Sequence, residues 1–192
     1  MVVTRLTIHV NTVNMTIHVK TPFAEDKNLG KAYNVAFEDI EERDWVCLID
    51  HDVLFLTPDT INLMYEYVRS FPETGIFTCY TNRIHPLATD QLLDGKVNEN
   101  TCINYHSERA YNQKRFGITV KEIKHPISGF LMLVSKKTWR EIKFSENGKC
   151  LGVDNFFSQA VLDAGKKIYR MESVYVWHSY RLSNIKDKTH LL

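Results

Sequence analysis

The sequence is short of the features that mark several large protein classes. Its four cysteines, Cys47, Cys79, Cys102 and Cys150, lie far apart and form no Cys-x-x-Cys pair. That argues against a zinc ribbon or a disulfide framework and makes a reducing, cytoplasmic setting the expectation. No apolar run approaches the ~20 residues needed to span a bilayer, and the start of the chain lacks the basic-then-apolar order of a signal peptide. Neither charge dominates: 24 Lys plus Arg stand against 23 Asp plus Glu, for a formal charge of +1. Bulk electrostatics therefore select neither nucleic acid nor an acidic partner. A glycine-rich or basic phosphate loop, which a nucleotidyltransferase would more often carry, is also missing.

What is present is enough apolar material for one good core. With 192 residues and 44% hydrophobic content, the chain is expected to form a single domain over 1–192. Its organising stretch is Trp45-Val46-Cys47-Leu48-Ile49-Asp50-His51-Asp52. The apolar run is too short for an independent helix and rich in strand formers, which predicts a buried strand. It stops at two carboxylates one residue apart, and a second apolar run, Val53 to Leu56, follows at once. Acids at i and i+2 on such a rim either converge on one hard divalent ion or are solvated turn residues.

Upstream, Leu6-Thr7-Ile8-His9-Val10 is nearly repeated by Met15-Thr16-Ile17-His18-Val19. Alternation predicts two short strands joined across 11–14, so residues 1–14 are an extra edge strand or an extension. Two copies do not make a repeat architecture, and His9 and His18 read as strand-face residues. Past Thr21-Pro22-Phe23, helical spacing of Leu29, Ala32, Tyr33, Ala36, Phe37 and Ile40 predicts a helix capped by Asn28. Gly30 there serves either close packing or the approach of a phosphate to the first turn. Helices are also predicted over 59–70, 105–115, 136–142 and from Asp154 to Gly165. Strands are predicted over 75–80, 120–124, 130–135, 167–171 and 173–181. Residues 81–101 are irregular, and the low periodicity and many polar residues of 81–115 read as a surface excursion. Gly129 at a strand mouth admits a ligand or relieves a bend. Asp154 reads as the cap at the start of its helix. Alternating elements with fully apolar strands predict an α/β three-layer sandwich around a mainly parallel sheet, its ligand at the carboxyl ends of the strands.

Taken together, Asn28-Leu29-Gly30-Lys31-Ala32-Tyr33-Asn34, the strand into Asp50-His51-Asp52, Ser128-Gly129-Phe130, Gly152-Val153-Asp154 and Trp177-His178 resemble the nucleotide-sugar glycosyltransferases of the GT-A fold. The likeness is greatest to inverting, family-2-like members and covers roughly residues 16–181. It implies transfer of a sugar from a UDP- or GDP-sugar to the hydroxyl of a saccharide or other acceptor. Asp50, Asp52 and His178 are implied ligands of Mn²⁺ or Mg²⁺, and Asp154 the implied general base. The implied donor-binding set is Thr21, Pro22, Phe23, Asn28, Gly30, Lys31, Asn34, Asp50, His51 and Arg181, and the acceptor set Ser128, Gly129 and Trp177. A bound cation stabilises charge on a departing diphosphate, and inversion needs one carboxylate to take the acceptor proton.

The chain also departs from that family. The usual first strand, helix and second strand ending in base-reading acids are missing, and Val153 precedes Asp154 where an acid is customary. This would be a minimal version of the fold. Three other readings remain: a nucleotidyltransferase using the same acids, a catalytically weak or inactive sugar- or nucleotide-binding module, and a non-haem iron oxygenase. The order Asp-His-Asp argues against the last, which needs His-x-Asp.

Overall fold

The computed structural model describes residues 15–84, 88–146 and 150–180. In chain order the elements are β1 (Ile17–Lys20), α1 (Leu29–Val35), β2 (Trp45–Ile49), β3 (Val53–Phe55), α2 (Thr60–Ser70), β4 (Thr74–Thr81), α3 (Ile103–Gln113), β5 (Val120–Ile123), β6 (Leu131–Ser135), α4 (Lys136–Glu141), α5 (Val153–Asp163) and β7 (Lys167–His178). All strands belong to one sheet, ordered β1-β2-β6-β4-β7-β3, with β5 also paired to β7.

Side-chain alternation divides the core into two layers. Trp45 and Cys47 of β2, Leu131 and Leu133 of β6 and Phe77 and Cys79 of β4 face Met64, Tyr67 and Val68 of α2. Val46 and Leu48, Met132 and Val134, and Ile76 face the opposite way, onto Tyr33 of α1, Trp139 of α4 and Val153, Phe157 and Val161 of α5. Both sheet faces are thus covered, which is why β2 and β6 are apolar at consecutive positions rather than at every second one.

The sheet is mixed rather than mainly parallel. β1 runs parallel to β2 and β4 to β7, but β6 is antiparallel to both β2 and β4, and β3 and β5 are antiparallel to β7. Burial on two faces produces a continuous apolar run whatever the strand direction, so the run could not report it. β7 is one strand where two were expected. Its pairing with β4 jumps from Cys79–Met171 to Tyr80–Tyr175, and that irregularity lets its other edge take β5 on the first half and β3 on the second.

α1 is shorter than its apolar spacing suggests. It ends at Val35, and Phe37 and Glu38 donate their amides to the carbonyls of Asn34 and Val35, three residues back, so the chain tightens into turns instead of continuing the helix. β1 is tied down through Asp44, whose carboxylate accepts from the Thr16 amide at 2.9 Å and faces His18 Nε2 at 2.9 Å. Its upstream near-copy, with His9, lies outside the described residues. No helix among the described residues is long and apolar enough to cross a membrane.

Strand directions gather the chemistry on one rim. The carboxyl ends of β1, β2, β4 and β7 lie there with the amino ends of the antiparallel β3 and β6.

Candidate metal centre

Asp50 follows the last residue of β2, and a tight turn in which the Val53 amide donates to the Asp50 carbonyl at 3.2 Å starts β3 immediately. β3 pairs with β7 so that Val53 stands opposite His178, and the Ser179 amide closes the ladder on the Asp52 carbonyl at 3.0 Å. The result is that Asp50, Asp52 and His178 offer ligand atoms all within 4.8 Å of one another. His178 Nε2 lies 3.2 Å from Asp52 Oδ1 and 3.6 Å from Asp50 Oδ2.

The imidazole is held in one orientation. It is 2% exposed, stacked on Phe130 at 5.5 Å between ring centroids, and its backbone N–H donates to Asn82 Oδ1 at 2.7 Å. Nδ1 donates to the Arg83 carbonyl at 2.9 Å. A carbonyl oxygen only accepts, so Nδ1 carries the proton and Nε2 is left facing two carboxylates. A lone pair aimed at two anions is repulsive until a proton or a cation lies between them. Two hard carboxylates and one imidazole suit Mn²⁺ or Mg²⁺, and the Nδ1 bond to a carbonyl is the outer support that metal-binding histidines usually have. The donor set therefore fits a divalent ion.

Electrostatics divide the two acids. Burial pushes Asp50 above the ordinary carboxylate range. His178 pulls it down, but the charges of Asp52 and Asp154 add to the rise. Burial also raises Asp52, but the imidazole of His178 and the nearby His51 outweigh it and leave Asp52 below its usual value. His51 itself is exposed between the acids and is not among the three converging groups.

Asp154 lies in the first turn of α5. Its Oδ2 accepts from the Gly129 amide at 2.7 Å, and a Cβ on Gly129 would come within 2.6 Å of Asp154 Cβ. Gly129 therefore permits a close approach of backbone to carboxylate. Burial raises Asp154 against the pull of the Gly129 and Asn155 amides. The next residue, Phe130, accepts the Asp50 amide at 3.0 Å and stacks on His178, so one tripeptide touches both the acid pair and Asp154.

The expected donor residues separate into two groups. Thr21, Pro22, Phe23, Asn28 and Lys31 line a single groove of ≈ 580 Å³ beside the end of β1, with Phe23 81% exposed. Asn28 caps α1 by accepting the Lys31 amide at 3.2 Å. Gly30 and Asn34 are engaged elsewhere. A Cβ on Gly30 would fall 2.0 Å from the Ser145 carbonyl oxygen. Asn34 is 5% exposed; it accepts from Trp139 Nε1 and the Phe144 amide and donates to the Phe144 carbonyl and Glu146 Oε1, all at 3.0 Å or less. Gly30 thus lets the 144–146 loop pack against α1, and Asn34 ties that loop to the helix. Arg181 lies outside the described residues.

Of the acceptor set, Ser128 and Gly129 sit at the mouth of β6, while Trp177 pairs with Leu54 and by strand alternation points to the sheet face opposite His178. Tyr33 was read only as a core residue because it continues the apolar spacing of α1. It is 5% exposed, and burial, then the charges of Asp50 and Asp154, push its hydroxyl well above the usual range. It therefore stays protonated. No protein-family model matches this chain, and no curated protein matches it.

Proposed function

We propose that this chain is a metal-dependent glycosyltransferase of the GT-A type, moving a sugar from a nucleotide diphosphate to an acceptor hydroxyl with inversion. The observation that carries the proposal is the convergence of Asp50, Asp52 and Nε2 of His178 at one rim of the sheet. Asp50, Asp52 and His178 would hold Mn²⁺ or Mg²⁺, which when bound acts as a Lewis acid toward the leaving diphosphate. The groove at Thr21, Pro22 and Phe23 opens at the end of β1 and accommodates the nucleoside, with Lys31 on its wall to neutralise phosphate charge. Asp154 takes the proton of the acceptor hydroxyl. Burial raises its affinity for that proton, and the Gly129 amide fixes the carboxylate while it does so. Ser128 and Gly129 form the wall of the acceptor cleft beside Asp154.

Calorimetry with Mn²⁺ and a panel of UDP- and GDP-sugars, paired with donor-hydrolysis assays, tests the reading. Nucleotide binding should require the metal, and Asp52→Ala should abolish that metal-dependent binding together with turnover. Metal-independent binding in the wild type, or an Asp52→Ala protein that behaves like it, would remove the donor-site assignment.

A further inference from the structure

One turn of the irregular stretch between β4 and α3 reaches into the rim. Residues 89–91 form a single 3₁₀ turn, and Gln91 at its end is 1% exposed. Its side chain meets both backbone groups of Ser128: Oε1 accepts the Ser128 amide at 2.8 Å, and Nε2 donates to the Ser128 carbonyl at 3.0 Å. Nε2 also donates to Thr78 Oγ1 at 2.8 Å, and that hydroxyl donates to the Leu131 carbonyl at 2.9 Å.

We propose that Gln91 is a positioning residue for Asp154: by pairing with Ser128 it fixes the Gly129 N–H that holds the Asp154 carboxylate. This role rests on the reading of Asp154 as the base for glycosyl transfer. A buried side chain that only filled space would be served as well by Leu or Met, whereas glutamine supplies a donor and an acceptor at the spacing of one peptide unit. The turn bearing it is anchored independently. The Asp90 carboxylate accepts from His125 Nε2 at 2.9 Å and Lys121 Nζ at 3.1 Å, and its carbonyl accepts from Arg170. Gln91 thus braces residues 128–130 from a fixed point. The Asp154 carboxylate depends on where the Gly129 amide of that stretch lies.

The test compares the wild type with Gln91→Glu, which keeps the shape and the acceptor for Ser128 but loses both donated bonds, and with Thr78→Val, which removes the other partner of Nε2. In Gln91→Glu, kcat should fall by about 10-fold or more with donor KM and Mn²⁺ affinity within about twofold, because metal and donor are held by other elements. The acid limb of the pH–rate profile should move to higher pH, since a slackened Gly129 amide stabilises the ionised carboxylate less. Thr78→Val should show the same pattern more weakly. In the metal-free protein the Gly129 amide proton should resonate downfield in the wild type, and both Gln91→Glu and Asp154→Asn should move it upfield. A Gln91→Glu protein with unchanged kcat, pH limb and Gly129 resonance overturns the role of Gln91. So does a parallel fall of kcat, metal affinity and melting temperature in both variants, which would mark a general packing residue. A wild type without metal-dependent donor turnover overturns the glycosyl-transfer reading itself, and the role of Gln91 with it.

Discussion

At the scale of single residues, the site rests on close contacts that tolerate little addition. Gly129 is the clearest case, because a methyl group there would press on Asp154 Cβ at 2.6 Å and on Oδ2 at 3.1 Å. Gly129→Ala should displace the carboxylate and cost about 1–3 kcal/mol of stability, with turnover reduced about 100-fold. Mn²⁺ affinity should persist, since Asp50, Asp52 and His178 are untouched. Steady-state kinetics with metal titration would check this, and loss of metal affinity alongside turnover would mean that the two halves of the rim move as one. The convergence of Asp50, Asp52 and His178 was legible only through the family resemblance, because a carboxylate pair closing an apolar strand is by itself as readily a solvated turn and His178 alone reads as a strand-end histidine. Gln91 and Tyr33 were not legible. Gln91 lies in a stretch without period, where no sequence rule marks a buried amide, and Tyr33 is hidden inside an apolar helical spacing that the core also uses.

At the scale of elements, α1 and the loop at 144–146 form one unit, and Asn34 is the side chain that joins them. Asn34→Ala would leave Trp139 Nε1–H and the Phe144 amide buried without their acceptor. Two such groups should lower stability by about 3 kcal/mol, measured by urea denaturation, while donor affinity of the folded variant stays near wild type. Full stability with lost donor binding would return Asn34 to the donor site. The element boundaries show where local pattern stops being informative. β2 was legible because Trp45–Ile49 is bounded by polar residues on both sides. The overlong helix prediction came from Ala36, Phe37 and Ile40, which stay apolar because the turns after α1 remain packed on the same core layer. β7 was split in two because Glu172 and Ser173 interrupt its apolar run, yet Tyr67 Oη accepts the Ser173 amide at 3.0 Å and the strand carries on through the irregularity. Strand direction was not legible at all, since β6 reads the same forwards and backwards when helices cover both faces.

At the scale of the whole molecule, strands of both directions bring Asp50, Asp52 and His178 to one rim, α5 adds Asp154, and the fold bears the electrostatic consequence. Asp50 binds its proton more tightly in the folded protein than in the unfolded chain, because of burial and the neighbouring charges of Asp52 and Asp154 against the opposing pull of His178. A carboxyl whose folded value is raised costs stability as pH climbs from the unfolded value of about 3.9 through the raised one. The cost is complete above both. Metal-free Asp50→Asn, which cannot ionise, should therefore melt higher than the wild type at pH 7, and the difference should close as pH falls toward 4. A cation reverses the order. Mn²⁺ at 100 times its Kd should stabilise the wild type by about 2.7 kcal/mol, and Asp50→Asn should gain little. The wild-type gain should itself shrink as pH falls through the raised Asp50 value, because the ion must displace that proton. Thermal melts from pH 4 to 8 with and without Mn²⁺ read all three effects. A metal-free Asp50→Asn less stable than the wild type at neutral pH would mean that His178 already neutralises the pair with a proton, and that the rim is a structural ion cluster rather than a site built for a dication.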